Sequence, residues 1–132
     1  MERVNEKGTI KINKHIFSKI VWDAVGLTEG KVFSASEKGK LLTGIGGSRP
    51  AHGEVADHMT VSESDGTLNI EFFVIMSFGA SIQKNTELSL DYVEQKLKVM
   101  FPGQSGRILL RVVGVKSKQI ALRDIEVERT WN

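Results

Sequence analysis

The chain has 132 residues, with 18 lysines and arginines against 16 aspartates and glutamates, so its net charge is +2. This near balance does not indicate a polyanion as partner, although the pI of about 8.9 is basic. The absence of cysteine excludes thiolate zinc sites, cysteine nucleophiles and disulfides, and it suits a reducing cytosol. The length predicts a single domain over residues 1–132.

The chain begins with a polar segment of mixed charge, Met1 to Lys7, which lacks the apolar core of a signal peptide. Its longest uninterrupted apolar run, Phe72 to Met76, is far shorter than the roughly 20 residues that cross a bilayer as a helix. We therefore expect a cytoplasmic protein that does not itself insert into a membrane.

The first elements predicted are a short strand and a helix. Gly8 to Ile12 alternates, which places Ile10 and Ile12 toward a core. Asn13 is suited to cap a helix, and the apolar residues after it recur every three or four positions. This pattern predicts a helix with one buried face that ends at Gly26.

Lys31 to Ser36 alternates again and predicts a second strand, with either Val32 or Phe33 as its core anchor. Glu37 to His58 is rich in glycine, above all between Gly39 and Gly53, and predicts a long loop. A connection of about 20 residues is unusual in a compact domain, so this loop is either functional or mobile.

The stretch from Met59 to Phe78 predicts a hairpin. Met59 to Glu63 and Thr67 to Phe78 are strand-like, and Ser64-Asp65-Gly66 between them is a tight-turn signal. The second half of the longer strand is apolar on both faces, which predicts a central position in the sheet.

Beyond Gly79, apolar residues from Ile82 to Met100 are spaced by three and four and predict a second helix. Ser81 is placed to cap it, and Pro102-Gly103 to end it. Strands over Arg107 to Val115 and Ile120 to Val127 complete the order β-α-β-β-β-α-β-β. We therefore predict an α+β fold, in which two helices pack on one face of a largely antiparallel sheet.

The opening Gly8-x-Ile10-x-Ile12-Asn13-x-x-Ile16-Phe17-x-x-Ile20 resembles that of the alkaline shock protein family of Gram-positive bacteria. The similarity extends over about residues 8–115, through an apolar strand that ends in Phe78-Gly79 and through the apolar positions of the second helix and the closing strand. The chain differs from the family at Gln83, where proline is usual, in its expanded Gly39 to Gly53 loop, and in its tail beyond Lys116.

This resemblance implies a non-enzymatic protein that serves cell-envelope stress or homeostasis through protein contacts. It leaves open a partner anchored in a membrane, which would hold the chain there indirectly, and self-association into a homo-oligomer. The resemblance implies no cofactor and does not identify the partner.

Exposed aromatic side chains often mark contact surfaces, which makes Phe73, Phe101 and Trp131 the candidate partner contacts. Packing within the domain is the competing explanation for Phe73 and Phe101. Trp131, next to the end of the chain, has less reason to be buried and is the better candidate.

RNA binding is the alternative function. Gly103-Gln104-Ser105-Gly106 resembles the Gly-x-x-Gly turn that clamps a nucleic-acid backbone in KH domains. Arg107 follows directly, and Lys96, Lys98 and Lys116 would complete a basic rim. In KH domains this turn joins two helices, whereas here it joins a helix to a strand, so nucleic acid is the less favoured partner.

A small molecule or a metal bound by the loop around His52 is a third, less favoured function. The set His52, Glu54, Asp57 and His58 matches no standard metal spacing, so solvated loop side chains are the competing explanation. Gly44 to Arg49 lacks the Lys-Ser/Thr and the following helix of a Walker loop. Four carboxylates near regular elements come without a nucleophile, so no catalytic residue is expected; they are Asp65, Glu71, Asp91 and Glu94.

Overall fold

A computed structural model describes residues 13–132 in full and residues 2–4 and 9–11 by their backbone. In chain order the elements of these residues are β1 (Glu2–Val4), β2 (Thr9–Lys11), α1 (Lys14–Gly26), β3 (Val32–Ala35), a 3-10 turn (Ile45–Gly47), α2 (His52–Ala56), β4 (Thr60–Ser64), β5 (Thr67–Ser77), α3 (Ile82–Met100), β6 (Ser105–Lys116) and β7 (Ile120–Trp131). The predicted α+β class is confirmed.

The main sheet is built around β5, as its apolar faces predicted. On one side β5 pairs with β6 along its whole length, and this is the parallel pair, with α3 as the crossover connection. On its other side β3 pairs with residues 73–76 and β4 with residues 67–71, both antiparallel. β7 pairs antiparallel with β6, so the sheet is largely antiparallel, as predicted.

The main core lies between α1, α3 and one face of this sheet. Alternate residues of β5, from Leu68 to Met76, point into it together with Ile108, Leu110 and Val112 of β6. Each buried side chain of this size contributes roughly 1.5 to 3 kcal/mol, so these rows dominate the stability of the fold. The two predicted helices therefore do share one face of the sheet.

The other face of the sheet, here called the second face, carries a small core at one end. Ala35, Ile75 and Val113 are buried there, and four half-buried side chains pack against them; these are Phe33, Leu41, Phe73 and Ile120. Val113 lies on this face by simple alternation with Val112. The register shift between Val112 and Gly114 leaves Val113 as the extra residue of a bulge.

Local signals place the starts of α1 and α3 and the β4–β5 turn where the sequence predicted them. The Asn13 side chain accepts a hydrogen bond from the His15 backbone N–H, and Ser81 accepts one from Lys84. Asp65 and Gly66 both have positive φ, at 51° and 79°, which is the requirement of a two-residue hairpin turn between β4 and β5.

Three predictions need correction. The segment Glu37 to His58 is not a continuous loop, because it contains the 3-10 turn and α2, whose Val55 joins the main core. The final strand does not end at Val127 but continues to Trp131. The first predicted strand pairs with β1 in a separate two-stranded sheet; Gly8 and Ile12 lie outside the described residues.

The open choice in the second predicted strand is also resolved. Val32 is buried in the main core, whereas Phe33 lies on the second face. Val32 is therefore the anchor of β3.

Candidate functional site

The three aromatic side chains predicted as partner contacts all pack against the chain itself. Phe101 stacks on Phe17 of α1, with ring centroids 5.8 Å apart and planes 19° from parallel. Phe73 is half-buried in the small core of the second face. Trp131 is half-buried against the main core and lies directly over Gly106.

Of the residues predicted as an RNA contact, Gly103, Gly106 and Arg107 lie together at the start of β6, and Lys116 lies apart from them. Gly103, with φ of 83°, follows the end of α3, and Gly106 lies beneath the Trp131 indole. Arg107 forms an ion pair with Glu128. Arg107 and Lys116 lie near opposite ends of β6, so at about 3.3 Å per residue they are roughly 30 Å apart.

The histidine and carboxylate residues of segment 52–58 do not form a metal site. His52 lies edge-on to Trp22, with centroids 6.5 Å apart. Within the described part of the chain, no three histidine, aspartate or glutamate side chains are placed to hold a metal together.

The carboxylates near regular elements are engaged in ion pairs across the structure. Arg129 on β7 donates to Asp91 and Glu94 of α3, at 2.9 Å each, and Glu94 also pairs with Lys98 at 2.7 Å. The hydrogen bond from Lys98 lowers the pKa of Glu94; burial opposes this shift, and Arg129 adds to it. A carboxylate held charged in this way is a poor proton acceptor near neutral pH.

On the second face, Glu71 accepts a hydrogen bond from Arg111, at 2.5 Å. This bond raises the pKa of Arg111, burial opposes it, and nearby Glu126 and Asp124 reinforce it. Asp65 sits in the β4–β5 turn. Three of the four candidate carboxylates, Glu71, Asp91 and Glu94, therefore take part in ion pairs.

Three apolar side chains of α3 outside its core stripe form a second row, which we call the α3 outer stripe: Leu88, Val99 and, partly packed against the main core, Tyr92. Spacings of four and seven residues place them on one helix face. Val99 is 78% exposed and Leu88 is 42% exposed, whereas Tyr92 is half-buried. Sequence analysis recognised only the core stripe of this helix, although the second row has the same periodicity.

Two lysines border the α3 outer stripe. Lys84 precedes Leu88 by one helical turn, and the Lys96 ammonium lies 5.7 Å from the centroid of the Tyr92 ring. Among the ion pairs of the described residues, neither lysine has an acidic partner. The stripe therefore combines apolar surface with two lysines that form no ion pair among the described residues.

A second candidate surface is a hollow of about 400 Å³ between the end of α1, β3 and the segment 41–50, which we call the α1–β3 cleft. Its walls are mainly apolar and include Val25, Val32, Phe33 and Leu41. Ligand pockets of proteins commonly have volumes of about 300 to 1,000 Å³ and apolar walls with few polar groups. The cleft thus has the size and lining of a small-molecule site.

Arg49 is held at the wall of this cleft by Trp22 of α1. Its guanidinium lies 3.8 Å from the centroid of the Trp22 ring and donates a hydrogen bond to the Trp22 carbonyl. The Trp22 indole N–H in turn donates to the Pro50 carbonyl, at 2.7 Å. A Cβ atom on Gly26 would lie 2.8 Å from Nη1 of Arg49, so glycine at this position leaves room for the guanidinium.

This arrangement influences the charge of Arg49. Burial of its stacked side lowers the pKa of Arg49, and the neighbouring carboxylate of Asp23 partly opposes the shift. Sequence reasoning missed this link because Trp22 and Arg49 are 27 residues apart, and neither position belongs to a recognisable motif.

Of the helices in the described part of the chain, none has both the length and the apolar character needed to span a bilayer. Comparisons with protein-family models, curated proteins and solved structures find no significant match to this chain.

Proposed function

We propose that this chain is a non-enzymatic protein-interaction module that takes part in cell-envelope stress or homeostasis. The cellular role rests on the resemblance of residues 8–115 to the alkaline shock protein family. In this proposal the chain acts in the cytoplasm and reaches the membrane through a membrane-anchored partner.

The observation that carries the interaction role is the α3 outer stripe. A helix of a small domain normally presents charged residues to solvent, whereas α3 exposes Leu88 and Val99. Covering their exposed fractions would contribute about 2 to 4 kcal/mol to an interface. Micromolar affinity requires about 8 kcal/mol, so the partner must also contact residues around the stripe.

The occupant that best fits the stripe is an amphipathic helix of a partner protein with carboxylates beside its apolar face. Such a helix lays its apolar row along that of α3, which is a common mode of recognition. Its carboxylates would meet Lys84 and Lys96, which have no acidic partner within the described chain. Each exposed pair adds at most about 1 kcal/mol and mainly sets orientation.

The test is recovery of partners from a native extract by the intact chain and by a Leu88→Ser/Val99→Ser variant, with quantitative mass spectrometry. We expect the variant to lose specific protein partners by at least tenfold while its thermal stability stays near that of the wild type. The matched control is Leu122→Ser, because Leu122 is 67% exposed on β7, away from α3.

Equal recovery by the stripe variant and the control would contradict the proposal, as would recovery of nucleic acid alone. Light scattering tests separately whether the occupant of the α3 outer stripe is a second copy of the chain. A homodimer that dissociates in the stripe variant would assign the stripe to a second copy of the chain instead of a partner helix.

A further inference from the structure

The α1–β3 cleft shares no lining residue with α3, so it is a separate surface from the α3 outer stripe. A volume of about 400 Å³ corresponds to roughly a dozen water molecules, given about 30 Å³ for each in the liquid. This space suits a small molecule better than a folded element of another protein.

The charged groups of the cleft are unequal in sign. Arg49 and Lys116 line it as cations, and Glu29 is the acidic lining residue. The Lys116 ammonium lies 5.8 Å from the centroid of the Phe33 ring, and among the described ion pairs Lys116 has no carboxylate partner. A net positive wall beside apolar side chains is complementary to a molecule with an apolar body and a negative end.

Arg49 is the better of the two cations for binding a carboxylate. Trp22 fixes the plane of its guanidinium, and one of its five N–H donors goes to the Trp22 carbonyl. The described residues accept no hydrogen bond from its other donors, which a ligand can use. A planar guanidinium can donate two parallel hydrogen bonds to a carboxylate, and here the geometry is set before the ligand arrives.

We propose that the α1–β3 cleft binds a small aliphatic carboxylate, whose chain lies against Val25, Val32 and Leu41 and whose carboxylate is held by Arg49. Lys116 adds positive potential at the wall, and Glu29 repels the anion. The carboxylate end of the ligand therefore lies toward Arg49 and away from Glu29.

Titration calorimetry with sodium octanoate at low ionic strength tests this proposal. A ligand of this size with mostly apolar contacts should bind with a dissociation constant of about 0.1 to 1 mM. Octanol and acetate, which lack the charge and the chain respectively, should bind at least tenfold more weakly. Absence of octanoate binding, or equal binding of octanol, would overturn the proposal.

Variants locate the site. Arg49→Lys keeps the charge but loses the planar fork, and should weaken octanoate binding about three- to tenfold. Lys116→Gln should weaken it about two- to fivefold, and Glu29→Gln should strengthen it by a similar factor. The control for Lys116→Gln is Lys118→Gln, the same charge change at an exposed turn residue outside the cleft.

If Arg49→Lys perturbs folding, the Lys116 and Glu29 variants still decide the question, because neither residue has an ion pair to lose among those of the described chain. Unchanged affinity in both would overturn the site.

The C-terminus of a protein also combines an apolar side chain with a carboxylate. A peptide that ends in leucine with a free carboxylate tests whether the cleft binds this source instead. If this peptide binds more tightly than octanoate and its amidated form does not bind, the cleft is a site for a protein C-terminus and the proposal fails.

Discussion

The packing of Trp131 on Gly106 can be tested by adding one methyl group. A Cβ atom at position 106 would lie within 3.0 Å of three atoms of the indole ring, a separation that folded proteins essentially never show. Overpacking of this kind costs typically about 1 to 3 kcal/mol. Alanine also recovers roughly 0.5 to 1 kcal/mol of the backbone entropy that glycine loses in a strand. We therefore expect Gly106→Ala to destabilise the protein by about 1 to 2 kcal/mol.

A double-mutant cycle separates this clash from other effects of the substitution. In a Trp131→Ala background the obstacle is gone, so Gly106→Ala should be neutral or should stabilise the protein by up to about 1 kcal/mol. The coupling energy between the two positions is then about 2 kcal/mol. Urea unfolding followed by far-UV circular dichroism measures it without relying on the fluorescence of the tryptophan that is removed.

Gly53→Ala is the matched control, since Gly53 lies in α2 and the nearest atom to an added Cβ is at 3.8 Å. Alanine should be neutral or stabilising there. If Gly106→Ala cost no more than this control and showed no coupling to Trp131, the indole would not be docked on the sheet. Trp131 would then be free to contact a partner, as the sequence alone suggested.

Three further substitutions test the helices. Ser89→Ala should raise the free energy of unfolding by about 1 kcal/mol, because the buried Ser89 hydroxyl lacks a hydrogen-bond partner among the described residues. If urea unfolding showed a lower stability instead, the hydroxyl would have a hydrogen-bond partner. Ser81→Ala should lower the free energy of unfolding by about 1 kcal/mol, because α3 loses its N-terminal cap. Unchanged hydrogen-exchange protection of the α3 amides would contradict this. Glu94→Gln should cost about 1 kcal/mol at neutral pH. Because folding lowers the pKa of Glu94, its contribution is present above the unfolded pKa of about 4.3 and disappears as the pH falls through the folded value. The unfolding curves of the wild type and the Glu94→Gln variant should therefore converge in acid, and divergence would refute the ion-pair assignment.

The elements predicted well are those whose signals are local. The alternation of β5, the Asp65-Gly66 turn and the caps Asn13 and Ser81 each depend on residues within a few positions of one another. Local patterns therefore established the α+β class and the central place of β5.

The elements that were missed depend on contacts between distant segments. Within the described chain α2 has no side-chain cap, and it is held by burial of Val55 against the main core. The predicted final strand ended at Val127, and the residues after it are largely polar. In the structure Glu128 pairs with Arg107, and Arg129 reaches α3. Neither of these two ion pairs is visible in a short window of sequence, because the two residues of each pair are more than 20 positions apart.

The same distinction explains why the candidate site differs from the one that the sequence predicted. Aromatic residues were the natural guess for a partner surface, but Phe73, Phe101 and Trp131 are held by the two cores. An exposed aliphatic row lies instead on α3, where Leu88 and Val99 belong to a second periodic row of a helix whose first row already accounted for its burial.

The α3 outer stripe and the α1–β3 cleft are separable by mutation, which allows a test of whether they communicate. α1 packs against α3 and also supplies Trp22, which positions Arg49 at the cleft. If octanoate and a partner helix bind different states of this helix pair, each must change the affinity of the other by the same factor. Partner recovery that changes with octanoate in the wild type, but not in Lys116→Gln at the same concentration, would show that the cleft regulates the stripe. Recovery independent of octanoate would leave them as two unconnected surfaces of one small domain.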